Sequence, residues 1–358
     1  MSDSVDKWVR PEIRKLTAYH VPNASGFIKL DAMENPYHWP DPMVKEWLAI
    51  LRKIELNRYP DPAASELNTQ IRSSMHVPAS RQVLLGNGSD ELIQMILMAV
   101  SGADRIVLSP EPGFVMYRMI ATFLNMPYVG VPLKKDFSLD RQAMLKAIEQ
   151  HDPAVVFLAY PNNPTGNLFA EDVVEEILQT SNGLVVLDEA YHAFAGKTWM
   201  DKLEQYENLL VMRTVSKMGL AGLRLGLLAG SSEWLGEFDK VRLPYNINVL
   251  TQASARFALQ NQGILDEQTA HIRADRDAMY DELCAIDAIE VFPSQANFIL
   301  FRTRETDANS VFEVLKKEKI LIKNLSAAGG LLSNCLRVTV GTPEENAAFL
   351  FALKDALS

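Results

Sequence analysis

Two stretches decide the fold: Ala154-Val-Val-Phe-Leu-Ala-Tyr-Pro-Asn-Asn-Pro-Thr-Gly166 and, a helix length further on, Leu184-Val-Val-Leu-Asp-Glu-Ala-Tyr191. Each opens as a short unbroken apolar run and stops abruptly at polar and turn-forming residues. A strand that is apolar at every position has both faces covered, as in a parallel sheet between helical layers. Between the two runs, about Ala170 to Gln179, the apolar residues take a helical spacing. The same rhythm extends outward. Val83-Leu-Leu85 stops at Gly86, and Leu92, Ile93, Ile96, Leu97 and Val100 then recur at helical intervals. Arg105-Ile-Val-Leu-Ser109, Leu209-Leu-Val-Met212 and Leu225-Gly-Leu-Leu-Ala229 continue the strands. Strands alternating with helices predict an α/β fold, with a large, mostly parallel sheet covered by helices.

The last third changes character. One long helical stretch, about Asn248 to Leu283, leads into Ile289-Glu-Val-Phe292, Asn297-Phe-Ile-Leu-Phe301, a helix near Ser310 to Glu318, Ile320-Leu-Ile322 and Leu336-Arg-Val-Thr-Val340. This pattern predicts a smaller α+β domain. Residues 1–50 carry Pro11, Pro22, Pro36, Pro40 and Pro42 and few strand signals, so they form an arm that packs with the small domain. The expected divisions are 1–50 for the arm, 51–265 for the large domain and 266–358 for the small one. The chain has 358 residues, enough for a sizeable core and about two domains. A net charge of −10 argues against a nucleic-acid partner, and anionic ligands then need local positive charge. No run is long and apolar enough for a membrane span, no secretory leader is visible, and Cys284 and Cys335 fit no paired framework. A cytoplasmic setting follows as the expectation. The six histidines form no metal spacing, so no metal is assigned.

In an open α/β sheet, ligands collect beyond the carboxyl ends of the strands. Five such ends are distinctive here. Gly86-Asn-Gly-Ser-Asp-Glu91 offers a helix N-terminus to a phosphate, with Ser89 and Asp90 at its start; a plain capped turn is the alternative. Glu91 stands where a dinucleotide fingerprint needs glycine, which weakens a nucleotide-binding oxidoreductase. Phe114 follows a Pro/Gly turn and can stack on a flat ring or simply fill the core. Asn163 sits in a rigid Pro-flanked loop. Asp188 ends a buried strand, where a carboxylate is costly unless paired with a cation, and Tyr191 can aim a phenol at the same place; a helix N-cap is the alternative. Lys217 lies in Thr214-Val-Ser-Lys-Met-Gly-Leu-Ala-Gly-Leu-Arg224, where apolar surroundings favour a neutral, imine-forming amine; Ser216 and Arg224 suit an anion. Together these groups match the needs of pyridoxal phosphate: a ring cation, a ring face, a ring oxygen, an aldehyde and a phosphate.

Pro161-Asn-Asn-Pro-Thr-Gly166, Asp188-Glu-Ala-Tyr191, and Ser216-Lys217 with Gly222-Leu-Arg224 resemble the fold-type I pyridoxal-phosphate aminotransferases. Within that superfamily the chain is most similar to the histidinol-phosphate aminotransferases. This likeness rests on Ile13-Arg-Lys-Leu-Thr-Ala-Tyr19, Asp31-Ala-Met-Glu-Asn-Pro36, Asn57-Arg-Tyr-Pro60, Gly86 to Glu91 and Leu336-Arg-Val-Thr-Val-Gly341. The resemblance implies that Lys217 carries pyridoxal 5'-phosphate as an internal aldimine and later moves the substrate proton. Asp188 resembles the partner of the pyridine nitrogen, and Tyr191 and Asn163 the partners of the ring 3-oxygen. Phe114 resembles the stacking residue, and Ser89, Ser216 and Arg224 the phosphate cup, with Asp90 beside them. Tyr59 resembles a tyrosine supplied by the neighbouring subunit, which implies a homodimer with shared active sites.

Tyr19, Asn35, Lys323 and Arg337 are implied at the substrate. Lys323 stands where the family often has a second arginine; it keeps the charge without the planar fork. Arg337 resembles an arginine able to take a carboxylate in one half-reaction and a phosphate in the other. The implied activity is ping-pong transamination between histidinol phosphate and 2-oxoglutarate, in histidine biosynthesis. Two alternatives stand beside it. One is an aromatic amino-acid aminotransferase or a same-fold enzyme acting on another phosphorylated amine; the other is a non-catalytic pyridoxal-phosphate-binding protein.

Overall fold

The computed structural model describes residues 2–18, 22–102 and 104–358. A seven-stranded sheet runs through its largest part, in the order β2-β8-β7-β6-β5-β3-β4. Its strands are β2 (Gln82–Gly86), β3 (Val107–Glu111), β4 (Tyr128–Pro132), β5 (Val155–Ala159), β6 (Leu184–Asp188), β7 (Leu209–Thr214) and β8 (Gly226–Gly230). The five strands from β7 to β4 pair parallel, whereas β8 runs antiparallel to both β7 and β2.

The continuous apolar runs are explained by the layers. Successive side chains of a strand point to opposite faces. Val156, Leu158, Val185 and Leu187 enter one core, and Val155, Phe157, Leu184 and Val186 enter the core on the other face. Helices Ser89–Val100 and Val115–Phe123 cover that second face, with Leu92, Ile93, Ile96, Tyr117 and Ile120 buried in it.

A second sheet, β12-β13-β10-β9, is wholly antiparallel. It comprises β9 (Ile289–Val291), β10 (Phe298–Thr303), β12 (Lys323–Asn324) and β13 (Cys335–Thr339). The N-terminal segment joins this part of the molecule. Two-residue strand β1 (Ile28–Lys29) pairs parallel with β11 (Ile320–Leu321), and Leu30 is buried with Ile272, Phe298, Val338 and Phe349. Asn297 donates to the Met33 carbonyl at 3.0 Å, and Met33 N–H donates to Thr339 Oγ1 at 3.0 Å.

Two expectations are corrected. The helical stretch from Asn248 is two helices, Val249–Gln260 and Gln262–Cys284, broken at Asn261. Asn261 leaves helical geometry, with φ −105 and ψ 31, and its side-chain and backbone N–H groups both donate to the Phe257 carbonyl. Strand β4 is also absent from the sequence reading. It holds Gly130 and Pro132, and it is an edge strand, the place where a sheet tolerates proline. Cys284 and Cys335 are both free thiols.

Candidate active site

A cleft with an empty volume of about 590 Å³ opens beyond the carboxyl ends of β5, β6 and β7, between the large sheet and the segment around Met33. Eight residues singled out from the sequence line it: Ser89, Asp90, Phe114, Asn163, Asp188, Tyr191, Ser216 and Lys217; Arg224 completes its rim.

Asp188 is the last residue of β6 and shares the face of Leu184 and Val186. One carboxylate oxygen accepts from Tyr117 Oη at 2.7 Å, the other from Ala190 N–H at 3.1 Å. Burial pushes its pKa up to about 6, although the Tyr117 hydrogen bond opposes the shift. Neither donor is a cation. Glu189, the next residue, points to the opposite face. It accepts from the Trp199 backbone and from Arg213 Nε at 2.9 Å, and it lies 2.9 Å from Thr198 Oγ1.

Lys217 lies in a short 3-10 turn, Ser216–Met218, after β7. Its Nζ donates to the Ala32 carbonyl at 3.2 Å and sits 5.9 Å from the centre of the Tyr191 ring. Burial first, and the nearby Arg337 charge second, lower its pKa to about 8. A buried amine held near neutrality is a nucleophile and a proton carrier at working pH.

Asn163, Tyr191 and Arg337 form a chain across the cleft. Asn163 Nδ2 donates to Tyr191 Oη at 3.1 Å, and Asn163 Oδ1 accepts from Arg337. Arg337, on β13, also donates to the Asp31 carbonyl at 3.1 Å and stands 5.0 Å over the Phe298 ring. Its guanidinium is almost completely buried.

The anion end is built from close backbone approaches. Gly88 has φ +83 and leads into the helix that begins at Ser89, whose first N–H groups lack helical partners. A Cβ on Gly88 would lie 2.7 Å from Arg224 Nη2, and one on Gly226 would lie 2.7 Å from the Gly88 carbonyl carbon. Both positions therefore require glycine. Arg224 is 3.7 Å from Asp90, and Ser216 Oγ lies 2.9 Å from Thr214 Oγ1. Glu91 accepts from Asn87 N–H at 2.7 Å and Asn246 Nδ2 at 2.9 Å, so it buttresses the turn.

Other residues singled out from the sequence fall elsewhere. Tyr59 is 81% exposed and stacks on Tyr245 with ring centres 4.5 Å apart. Asn35 spends its amide on the Met218 carbonyl and Gln268 Oε1, which ties the N-terminal segment to the Lys217 turn. Lys323 lies on β12 directly across the register from Arg337. Tyr19 and His20 lie outside the described residues. His192 turns away from the cleft, with Nδ1 3.1 Å from the Glu189 carbonyl; burial lowers its pKa to about 3, so the ring is neutral. Tyr117, Met33 and Thr214 were missed. For Tyr117 the signal was its place three residues after Phe114, where a helix brings side chains together.

A pyridoxal-phosphate group fits this donor set. Asp188 is a buried carboxylate that forms no ion pair among the described residues, and a pyridinium nitrogen is the cation such a group requires. The glycine-lined helix N-terminus beside Arg224 suits a phosphate, and Lys217 suits an aldehyde.

The family model of aminotransferase class I and II matches residues 25–353. The chain belongs to that family. It is 56% identical over 352 residues to histidinol-phosphate aminotransferase 2 of Nitrosococcus oceani, a match covering 98% of each chain. It is 51% identical over 358 residues to the histidinol-phosphate aminotransferase 2 of Cupriavidus pinatubonensis, covering 99% of this chain and 97% of that one. In fold it matches the histidinol-phosphate aminotransferase of Sinorhizobium meliloti, solved in complex with pyridoxal-5'-phosphate. The TM-score is 0.87 at 23% identity, over 98% of this chain and 97% of that one. The aminotransferase family thus shares the fold-type I architecture and the pyridoxal-phosphate dependence that the strand-end residues of this chain imply.

Proposed function

We propose that this aminotransferase exchanges an amino group between histidinol phosphate and 2-oxoglutarate, by a ping-pong route, as a step of histidine biosynthesis. The single observation that carries the chemistry is the convergence on one cleft of a buried lysine with a lowered pKa, Lys217, and a buried carboxylate, Asp188, that has no ion-pair partner among the described residues. Likeness to curated histidinol-phosphate aminotransferases, at about half the residues along nearly the whole chain, supports the substrate.

When bound, pyridoxal phosphate supplies an electron sink for the carbon that carries the amine. The residues of this chain provide the rest. Lys217 would hold the cofactor and, once released, take and return the proton at the reacting carbon through its Nζ. Asp188 would hold positive charge on the ring nitrogen. Asn163 and Tyr191 would orient the ring oxygen, and Phe114 would cover one ring face. Ser89, Ser216 and Arg224, with the N–H groups around Asp90 that open the helix, would hold the phosphate. Arg337 binds the substrate anion, either carboxylate or phosphate ester, with Lys323, Asn35 and Tyr19 as further substrate contacts.

The reading extends to a homodimer in which Tyr59 reaches the partner's cofactor phosphate. Its support is the exposure of Leu56, Tyr59 and Leu243, at 70, 81 and 74%. It also takes residues 1–50, 51–265 and 266–358 as arm, large domain and small domain. The cytoplasm is the proposed location; no described helix is long and apolar enough to cross a membrane.

The test has two stages. Protein incubated with pyridoxal phosphate should absorb visibly, and Lys217→Ala should abolish the band. Steady-state kinetics should then favour histidinol phosphate over phenylalanine and phosphothreonine. Far poorer turnover of histidinol phosphate than of phenylalanine would overturn the substrate assignment.

A further inference from the structure

Asp188 is held by two donors from different parts of the chain: the Ala190 N–H just after β6 and the Tyr117 hydroxyl from helix Val115–Phe123. Tyr117 is 1% exposed. Its ring stacks on Phe157 with centres 4.6 Å apart and planes 9° apart, so it has no room to swing. The same ring meets Phe114 edge-on, at 5.5 Å and 83°. One side chain therefore touches both the carboxylate at the floor of the cleft and the aromatic ring on its wall. We infer that Tyr117 is a positioning residue, fixing the Asp188 carboxylate and the Phe114 ring relative to each other so that one flat cationic ring meets both.

The inference rests on the pyridoxal-phosphate reading of the cleft. Burial, aided by the Asp188 charge, raises the phenol well above its ordinary value, so the hydroxyl remains a donor throughout the working range. A neutral donor fixes the carboxylate without neutralising it, and the negative charge stays available to a ligand. The other titratable groups around Asp188 are Asp90 on the helix that starts at Ser89, Glu189 beside it in the chain, and Tyr191 and Lys217 in the same cleft. Neither acidic neighbour can replace the lost donor.

The experiment measures pyridoxal-phosphate affinity, by equilibrium dialysis and visible absorbance, on the full chain. The proteins are wild type, Tyr117→Phe, Asp188→Ala and the double variant. Tyr117→Phe keeps the stack on Phe157 and the edge contact with Phe114. It should weaken binding about tenfold, the scale of a hydrogen bond to a charged group. It should also move the acid limb of binding to higher pH, because the Asp188 carboxyl loses a stabilising donor. On an Asp188→Ala background the same change should cost nothing further. Unchanged affinity and acid limb in Tyr117→Phe would overturn the inference, as would an equal loss on the Asp188→Ala background. If Asp188→Ala binds no cofactor, the acid limb of Tyr117→Phe decides. Failure of the wild type to take up pyridoxal phosphate would instead overturn the reading of the cleft.

Discussion

Asp188 and Glu189 are neighbours in the chain, both carboxylates and both buried, yet the molecule treats them in opposite ways. The pleat of β6 sends them to opposite faces of the sheet. On the Glu189 side the protein supplies a full set of partners: the Arg213 guanidinium, the Thr198 hydroxyl and the Trp199 N–H. On the Asp188 side it supplies a phenol and one N–H, and no cation among the described residues. A buried charge without its counter-ion is tolerated where a ligand brings the counter-ion. The pair thus separates a carboxylate that belongs to the fold from one that the proposed chemistry uses.

The largest effect expected from this contrast is on folding. Glu189→Ala leaves the buried Arg213 guanidinium uncompensated, which should cost about 3–5 kcal/mol of stability in denaturant titrations. The protein that remains folded should still take up cofactor. A stable Glu189→Ala variant that binds no pyridoxal phosphate would break the contrast from one side. Asp188→Ala should do the reverse. Turnover should fall about 10²–10³-fold, as for loss of one preorganised charge contact, while the stability of the cofactor-free protein moves far less than in Glu189→Ala. Comparable unfolding of both variants would break it from the other side. The smallest effect concerns pH. Lys217 is depressed to about 8, so its neutral fraction grows as pH rises towards that value and saturates above it. The rate of cofactor uptake by the free protein should climb about tenfold per unit below pH 8 and then flatten. Arg337→Ala removes the second-largest cause of that depression, so the climb should move to higher pH; an unmoved profile would show that burial alone sets it.

Much of this site was legible because short-range rules governed it. β5, β6 and the start of β7 are unbroken apolar runs, and the polar residues after such runs lie at the sheet's carboxyl edge. Asp188 follows its run directly, Asn163 and Lys217 lie in the loops a few residues further on, and the glycine turn before Ser89 follows the run of β2. The facing side of the cleft follows no such rule. β1 is two residues long and is a strand only because Ile320 and Leu321 lie beside it. Asn35 reads as a ligand contact, yet its amide is occupied by Met218 and Gln268, a pairing separated by 233 positions from the latter. Tyr117 carries no signal of its own in the sequence; its hydroxyl matters only because another strand ends beneath it.

The pairing of β1 with β11 also bears on the order in which the molecule can be completed. The carbonyls of Asp31 and Ala32 meet Arg337 and Lys217, and Met33 is held by Asn297 and Thr339. On the ribosome, the stretch that emerges early waits 185 residues for Lys217, 264 for Asn297 and 306 for Arg337 and Thr339. All strands of the large sheet are out long before then. Lys217 is thus on its sheet while β13, which helps to hold the facing segment, is still to be synthesised.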